Sequence, residues 1–80
     1  MTEEHIKLKI RASFIKILEH ENFTLNNETT ADDVDGWESI THMMIISEIE
    51  NVFNIKFKLM DLMNMNNIED LIKSIKASIN

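Results

Sequence analysis

The sequence of 80 residues contains no cysteine, no proline and a single glycine. Without cysteine, neither a disulfide framework nor a cysteine-ligated zinc site can form. The scarcity of proline and glycine argues against an all-β sandwich, whose many tight turns use both residues, and favours helices. Because a chain of this length is enough for one domain only, we expect a single helical domain over residues 1–80.

Basic residues are also scarce, with 8 Lys and Arg against 14 Asp and Glu and a formal net charge of -6. We therefore expect no nucleic-acid partner, since phosphate recognition needs a basic surface. No apolar run approaches the ~18 residues that a membrane span needs, and the first residues are acidic where a signal peptide is basic. These features predict a cytoplasmic monomer without a membrane span.

The charges are segregated along the chain. No Lys or Arg occurs between Lys16 and Lys56, whereas most of the acidic residues lie there. These acids are Glu19, Glu21, Glu28, Asp32, Asp33, Asp35, Glu38, Glu48 and Glu50. An acidic middle is typical of a surface that steers basic partners, and the alternative is a solvated face that serves solubility.

Hydrophobic periodicity predicts three main helices and one short helix. The expected bounds are about Glu3–Glu19, Ser39–Phe53 with Ser39 as the N-cap, Leu59–Met63, and a last helix that starts after Asn66 or Asn67. The fold class is therefore all-α, a small four-helix bundle with a long loop between helices one and two.

The polar stretch from about residue 21 to residue 38 is expected to be an ordered loop. Phe23, Leu25 and Val34 are spaced so that they can pin it to a core. One helical turn is predicted near residues 30–34, with Thr29 as its cap. Gly36 lies where the chain must turn into the second helix.

The second predicted helix has more apolar residues than one core-facing stripe requires. At about 100° per residue, one face is directed at the core and consists of Ile45, Ile46, Ile49, Val52 and Phe53. The opposite face consists of Ile40, Met43, Met44, Ser47 and Asn51. An exposed apolar cluster edged by acids is typical of a docking surface, and methionine adapts to several partners. The alternative is that the first helix or the loop covers this cluster.

The run from Asp35 to Met44 resembles the attachment motif of acyl carrier proteins. In that family an acid, a serine and an aliphatic residue open the second helix, as Glu38, Ser39 and Ile40 do here, and forms with Trp and His at the positions of Trp37 and His42 are familiar. The segments 49–57 and 68–71 resemble the end of the family's second helix with its following link, and the start of its last helix. The resemblance covers the whole chain.

The resemblance implies that Ser39 carries a 4′-phosphopantetheine arm through a phosphodiester, and that the arm's thiol holds an acyl group as a thioester. It implies a non-catalytic carrier for fatty-acid, lipid or polyketide-type biosynthesis. The implied partners are a phosphopantetheinyl transferase and acyl-transferring, synthase or ligase enzymes with basic docking patches. The docking residues, predicted from the helical phase and the neighbouring acids, are Glu38, Ile40, Met43, Met44, Ser47 and Glu48. Because Met44 replaces the family's usual acid and Ser47 a common apolar residue, a carrier dedicated to one pathway is at least as well supported as a carrier of primary fatty-acid synthesis.

Other interpretations agree less well with these residues. Aminoacyl or peptidyl carriers often have a Gly-Gly-His/Asp-Ser pattern, which Trp37-Glu38-Ser39 does not match, and an unmodified acidic interaction domain is the other alternative. A Ser39–His42 catalytic pair is rejected because so small a domain hardly has room for an oxyanion hole and a third group. A calcium loop from Ala31 to His42 lacks acids at both ends, and the histidines have no metal-ligand spacing. We expect Trp37 to be a packing anchor and His42 a hydrogen-bonded structural residue.

Overall fold

A computed structural model describes residues 2–79 of the chain. The elements in chain order are α1 (Glu3–Leu18), a 3₁₀ turn (Ala31–Asp33), α2 (Ser39–Phe53), α3 (Leu59–Met63) and α4 (Ile68–Ile79). The described residues contain no β-strand. The predicted all-α bundle, with three main helices, one short helix and a long first loop, is confirmed.

The core lies between the isoleucine-rich faces of α1, α2 and α4, with α1 packed mainly on α2 and also against α4. Its buried members are Ile6, Ile10 and Phe14 of α1, Ile45, Ile46 and Ile49 of α2, Ile68, Leu71, Ile72 and Ile75 of α4, and Val34 and Trp37 of the loop. Burial of one such aliphatic side chain contributes about 1.5–3 kcal/mol. None of the helices within residues 2–79 combines the length and the apolar character that a membrane crossing requires.

The long loop between α1 and α2 is ordered, and it supplies hydrogen-bond acceptors to the N-terminus of α4. The backbone N–H groups of Ile68 and Glu69 donate to the carbonyls of Thr29 and Asn27, at 3.1 and 3.0 Å. These are first-turn donors that have no partner within their own helix. Val34 is buried, and Phe23 and Leu25 pack against the core, as the sequence predicted.

Two local predictions are wrong. Thr30, not Thr29, precedes the 3₁₀ turn, because the buried Thr29 hydroxyl is used inside the loop: it accepts from Asn26 N–H and donates to the Thr24 carbonyl. The helical phase predicts Val52 on the core face of α2, but its side chain is 38% exposed. It lies on the edge of the apolar stripe, in the last turn of the helix, where the bundle no longer covers that edge.

Candidate functional site

The turn that leads into α2 depends on Gly36. Its φ of +86° lies in the region that favours glycine, whereas a Cβ at this position would make only an ordinary contact with the Leu18 side chain, at 3.5 Å. His20 fixes the same turn from the end of α1, since its Nε2–H donates to the Asp35 carbonyl at 2.8 Å while its Nδ1 accepts from Asn22 N–H at 3.0 Å. The expected turn at Gly36 is thus confirmed, and the chain enters α2 in one fixed direction.

In the first turn of α2, the Ser39 hydroxyl has no hydrogen-bond partner among the described residues. Glu38 occupies the N-cap position with extended backbone, so the prediction that Ser39 caps the helix is wrong. The cap instead uses Thr41, whose Oγ1 accepts from Glu38 N–H at 2.8 Å and donates to the Gly36 carbonyl. Ser39 itself is the first helical residue, is exposed, and makes no side-chain hydrogen bond to any residue between 2 and 79.

The same helix end presents free backbone donors. The first intrahelical bond runs from His42 N–H to the Glu38 carbonyl at 2.7 Å. The N–H groups of Ser39 and Ile40 therefore precede the hydrogen-bonded ladder and have no acceptor within the described part of the chain. With the positive end of the helix dipole, they favour an anionic group beside Ser39.

Trp37 and His42 form a hydrogen-bonded pair next to this helix end. The Trp37 side chain is buried and meets the Phe14 ring edge to face, with ring centroids 4.9 Å apart. Its Nε1–H donates to His42 Nδ1 at 3.0 Å, and the two rings stack. Burial lowers the pKa of His42. The predictions of a packing tryptophan and a hydrogen-bonded histidine are confirmed.

A groove with a volume of about 460 Å³ opens beside Ser39. It runs between the long loop and the segment that joins α3 to α4, and its lining residues are Ala31, Asp32, Trp37, Glu38, Ser39, His42, Met65 and Asn66. This volume falls in the range of small-molecule sites. The exposed Ser39 hydroxyl lies beside free backbone N–H groups and at the mouth of a groove that has apolar and polar walls. This arrangement suits an attached chain that begins with a phosphate.

The predicted phase of α2 is confirmed at its first turns. Ile40, Met43 and Met44 are 77%, 55% and 48% exposed, and Ser47 is exposed beside them, whereas Ile45, Ile46 and Ile49 are buried on the other side. Neither α1 nor the loop covers the cluster. Glu48 does not stand free at its edge, because its carboxylate is paired with Lys16 of α1 at 3.2 Å. Glu38 is exposed and forms no ion pair with a described residue.

A second exposed apolar cluster, which was not predicted from the sequence, lies on α3. Leu59, Met60 and Met63 are all more than two-thirds exposed, and only Leu62 of this helix packs against the core. The signal was present, since a five-residue helix with four apolar residues cannot bury all of them on one face. Within residues 2–79, no group of three or more acidic or histidine side chains is placed to hold a metal ion.

Comparison with known proteins identifies the family. The family model described as the phosphopantetheine attachment site matches residues 8–75, so the chain belongs to this family. The fold is similar to the solution NMR structure of a holo acyl carrier protein from Geobacter metallireducens, with 28% identity and a TM-score of 0.83 over 92% of this chain and 84% of that chain. No curated protein matches the chain. The predicted acyl carrier family is confirmed, and the prosthetic group of this chain is 4′-phosphopantetheine.

Proposed function

We propose that the chain carries acyl groups as thioesters on a 4′-phosphopantetheine arm bound through a phosphodiester to Ser39 Oγ. The observation that carries this proposal is the exposed Ser39 hydroxyl, which has no partner among the described residues, at the mouth of the groove. The phosphodiester would face the N–H groups of Ser39 and Ile40, an interaction of about 0.3–1 kcal/mol at an exposed helix end.

The composition indicates which part of the holo protein holds the cargo. The chain has no cysteine, so the arm supplies the thiol that holds the cargo. The protein itself catalyses nothing in this proposal; it tethers the cargo and raises its effective concentration at partner enzymes. The pathway is one of fatty-acid, lipid or polyketide-type biosynthesis, and Met44 and Ser47 favour a carrier dedicated to one such pathway.

The proposed docking patch consists of Glu38, Ile40, Met43, Met44, Ser47 and Glu48. Its exposed centre is apolar and adaptable, and Glu38 gives it an acidic edge. The partners that fit are a phosphopantetheinyl transferase and acyl-transferring, synthase or ligase enzymes whose own docking patches are basic. Glu48 contributes negative charge at the border of the patch while it remains paired with Lys16.

Intact mass spectrometry tests the attachment. The apo protein is incubated with coenzyme A and a phosphopantetheinyl transferase of broad specificity, and we expect a gain of one phosphopantetheine group. Ser39→Ala should stay helical by circular dichroism and gain nothing. Ser74→Ala, which changes a serine of α4 outside the docking patch, should be modified to completion like the wild type. An unmodified wild type, or a modified Ser39→Ala variant, would contradict the proposal.

The cargo class is tested on the carrier isolated from its own cells. Its intact mass, before and after thioester cleavage with hydroxylamine, gives the mass of the bound group. An acyl group supports the proposal, whereas an aminoacyl or peptidyl group would assign the chain to the alternative class of carriers. A native protein without any phosphopantetheine would indicate an unmodified interaction domain.

A further inference from the structure

The groove beside Ser39 contains one polar side chain whose proton position follows from its partner. Trp37 Nε1 is a donor only, so the His42 Nδ1 that it contacts must be the acceptor. The proton of the neutral ring is therefore on Nε2. That Nε2–H has no hydrogen-bond partner between residues 2 and 79, although His42 lines the groove.

His42 is also placed on the correct side of α2. It follows Ser39 by three residues, so the two side chains lie on neighbouring positions of one helix face. Both line the same groove, whose wall continues over Trp37 and Met65. A chain attached to Ser39 and lying in this groove would pass the imidazole ring.

We infer that His42 is a positioning residue whose Nε2–H donates a hydrogen bond to an oxygen of the pantetheine arm lying in this groove. The inference rests on the proposed attachment at Ser39. Beyond its phosphate, the phosphopantetheine arm is an uncharged chain with hydroxyl and amide-carbonyl acceptors. A neutral N–H donor matches such acceptors without the cost of burying a charge. The side chains of Trp37 and Met65 offer apolar surface to the carbon atoms of the arm.

The charged neighbours do not remove this donor. Asp32 of the loop and Glu38 at the start of α2 line the same groove, and a carboxylate close to the ring would favour its protonation. Burial acts in the opposite direction and lowers the pKa of His42. Protonation would also place a proton on the Nδ1 that accepts from Trp37, and so would break that bond. The ring is therefore neutral at pH 7, and it presents Nε2–H.

Nitrogen-15 NMR of the apo and holo proteins tests the inference directly. In the apo form, the two ring nitrogens of His42 should have the shifts of the Nε2–H tautomer. Modification should move the His42 Nε2 and Trp37 indole signals and give nuclear Overhauser effects between the His42 ring and the arm. His5, exposed in the first turn of α1, serves as the internal control and should not move. Unmoved His42 signals in a fully modified protein would overturn the inference and leave the attachment at Ser39 intact.

A pair of variants supplies the second measurement. His42→Phe keeps a ring but removes the donor, and His5→Phe is the matched control. Both should gain the mass of the arm. In His42→Phe we expect the arm to lose its contacts with Trp37 and Met65 and to show the NMR relaxation of a free chain. His42→Gln, which retains an N–H donor, should restore part of these contacts. Equal arm contacts in His42→Phe and the wild type would overturn the inference, and a wild type that gains no mass would overturn the attachment and the inference together.

Discussion

The ammonium group of Lys16 lies 3.2 Å from both carboxylate oxygens of Glu48, so that an ion pair joins α1 to α2 beside the docking patch. The Glu48 side chain is only 19% exposed, whereas Lys16 is largely in solvent. Glu38, at the other border of the patch, is exposed and has no such partner among the described residues. Two acids of the same surface therefore differ in their roles: Glu38 is available to a basic enzyme, and Glu48 is engaged within the bundle.

The first prediction separates these two roles. Glu38→Lys should slow modification by the transferase at low salt, because steering is lost, and should lower the melting temperature slightly, because it places a positive charge at the positive end of the α2 dipole. Glu48→Lys should also lower the free energy of unfolding, by up to about 1 kcal/mol, since it places two ammonium groups side by side. The measurements are modification rates between low and high ionic strength and urea unfolding of each variant. The wild-type rate should fall as salt rises, and a salt-independent rate would indicate that the acidic middle serves solubility alone.

The second prediction concerns the two faces of α2. Met44→Gln should change the free energy of unfolding by no more than about 0.5 kcal/mol, because the side chain is exposed, but should weaken transfer to or from the cognate enzyme. Ile49→Ala should cost about 2–5 kcal/mol, because it opens a cavity in the core. Melting temperature and transfer rate are measured for both variants. If Met44→Gln unfolds the domain or leaves every transfer rate unchanged, the docking patch lies elsewhere.

Met44→Glu is the third prediction and tests pathway choice. It restores the acid that acyl carrier proteins usually have at this position and adds charge to a patch whose only unpaired described acid is Glu38. We expect faster reaction with general fatty-acid enzymes that have basic docking patches, and slower reaction with the cognate partner. The matched control is Met44→Gln, which is polar but uncharged. Equal rates for the two variants would show that charge at this position does not select the partner.

The helices could be predicted from the sequence because their apolar residues recur at helical spacing. The stripes of α1 and α4 and the phase of α2 follow from that period alone. The period does not say which neighbour covers a residue at the edge of a stripe, and Val52 was misassigned for this reason. Nor does it reveal pairs far apart in the chain: Lys16 and Glu48 are 32 positions apart and meet only because α1 packs on α2.

The candidate site was predictable in type but not in geometry. The residues that start α2 resemble a known motif, which predicts the cofactor, confirmed by the family match, and Ser39 as its proposed attachment residue. Cap preferences favour Ser39 as the N-cap, whereas Glu38 occupies that position and its backbone N–H donates to the Thr41 hydroxyl. The Trp37–His42 bond depends on how the loop enters the helix, and no local pattern encodes it. Tertiary packing decides which of the nearby hydroxyl groups contacts the start of α2 and how the loop enters the helix. The spacing of residues in the sequence does not reveal that packing.

The fourth prediction concerns the turn before Ser39. Gly36→Ala forces a Cβ into a backbone conformation with φ of +86°, a strain of about 1–3 kcal/mol. In a domain of this size each kcal/mol lowers the melting temperature by about 4–8 °C. Asp35→Ala is the matched control, because its exposed side chain can be removed while its carbonyl still accepts from His20. Thermal unfolding of the two variants checks the prediction, and an unchanged melting temperature for Gly36→Ala would mean that the turn can relax.

The last prediction is a pH dependence that originates in His42. Burial holds the folded-state pKa of His42 below its ordinary value of 6.5, so the unfolded chain binds more protons in the interval between the two values. The contribution of His42 to the free energy of unfolding is therefore complete above pH 6.5, and it is lost as the pH falls from 6.5 through the folded-state pKa. Glu3 acts in a separate window, because its hydrogen bond to Lys76 lowers its pKa from 4.5 and its contribution is lost only below that value.

Urea unfolding at pH 7.5 and pH 5.5 measures the effect. We expect the wild type to lose more stability between these two values than His42→Phe, whose ring cannot titrate. The difference between the two slopes isolates His42, because every other ionisable group is common to both proteins. The Trp37 fluorescence should change over the same interval if the bond to Nδ1 breaks on protonation. A wild type that gains stability relative to His42→Phe at pH 5.5 would show that the carboxylates of Asp32 and Glu38 outweigh burial, and that the imidazole is held in its charged form.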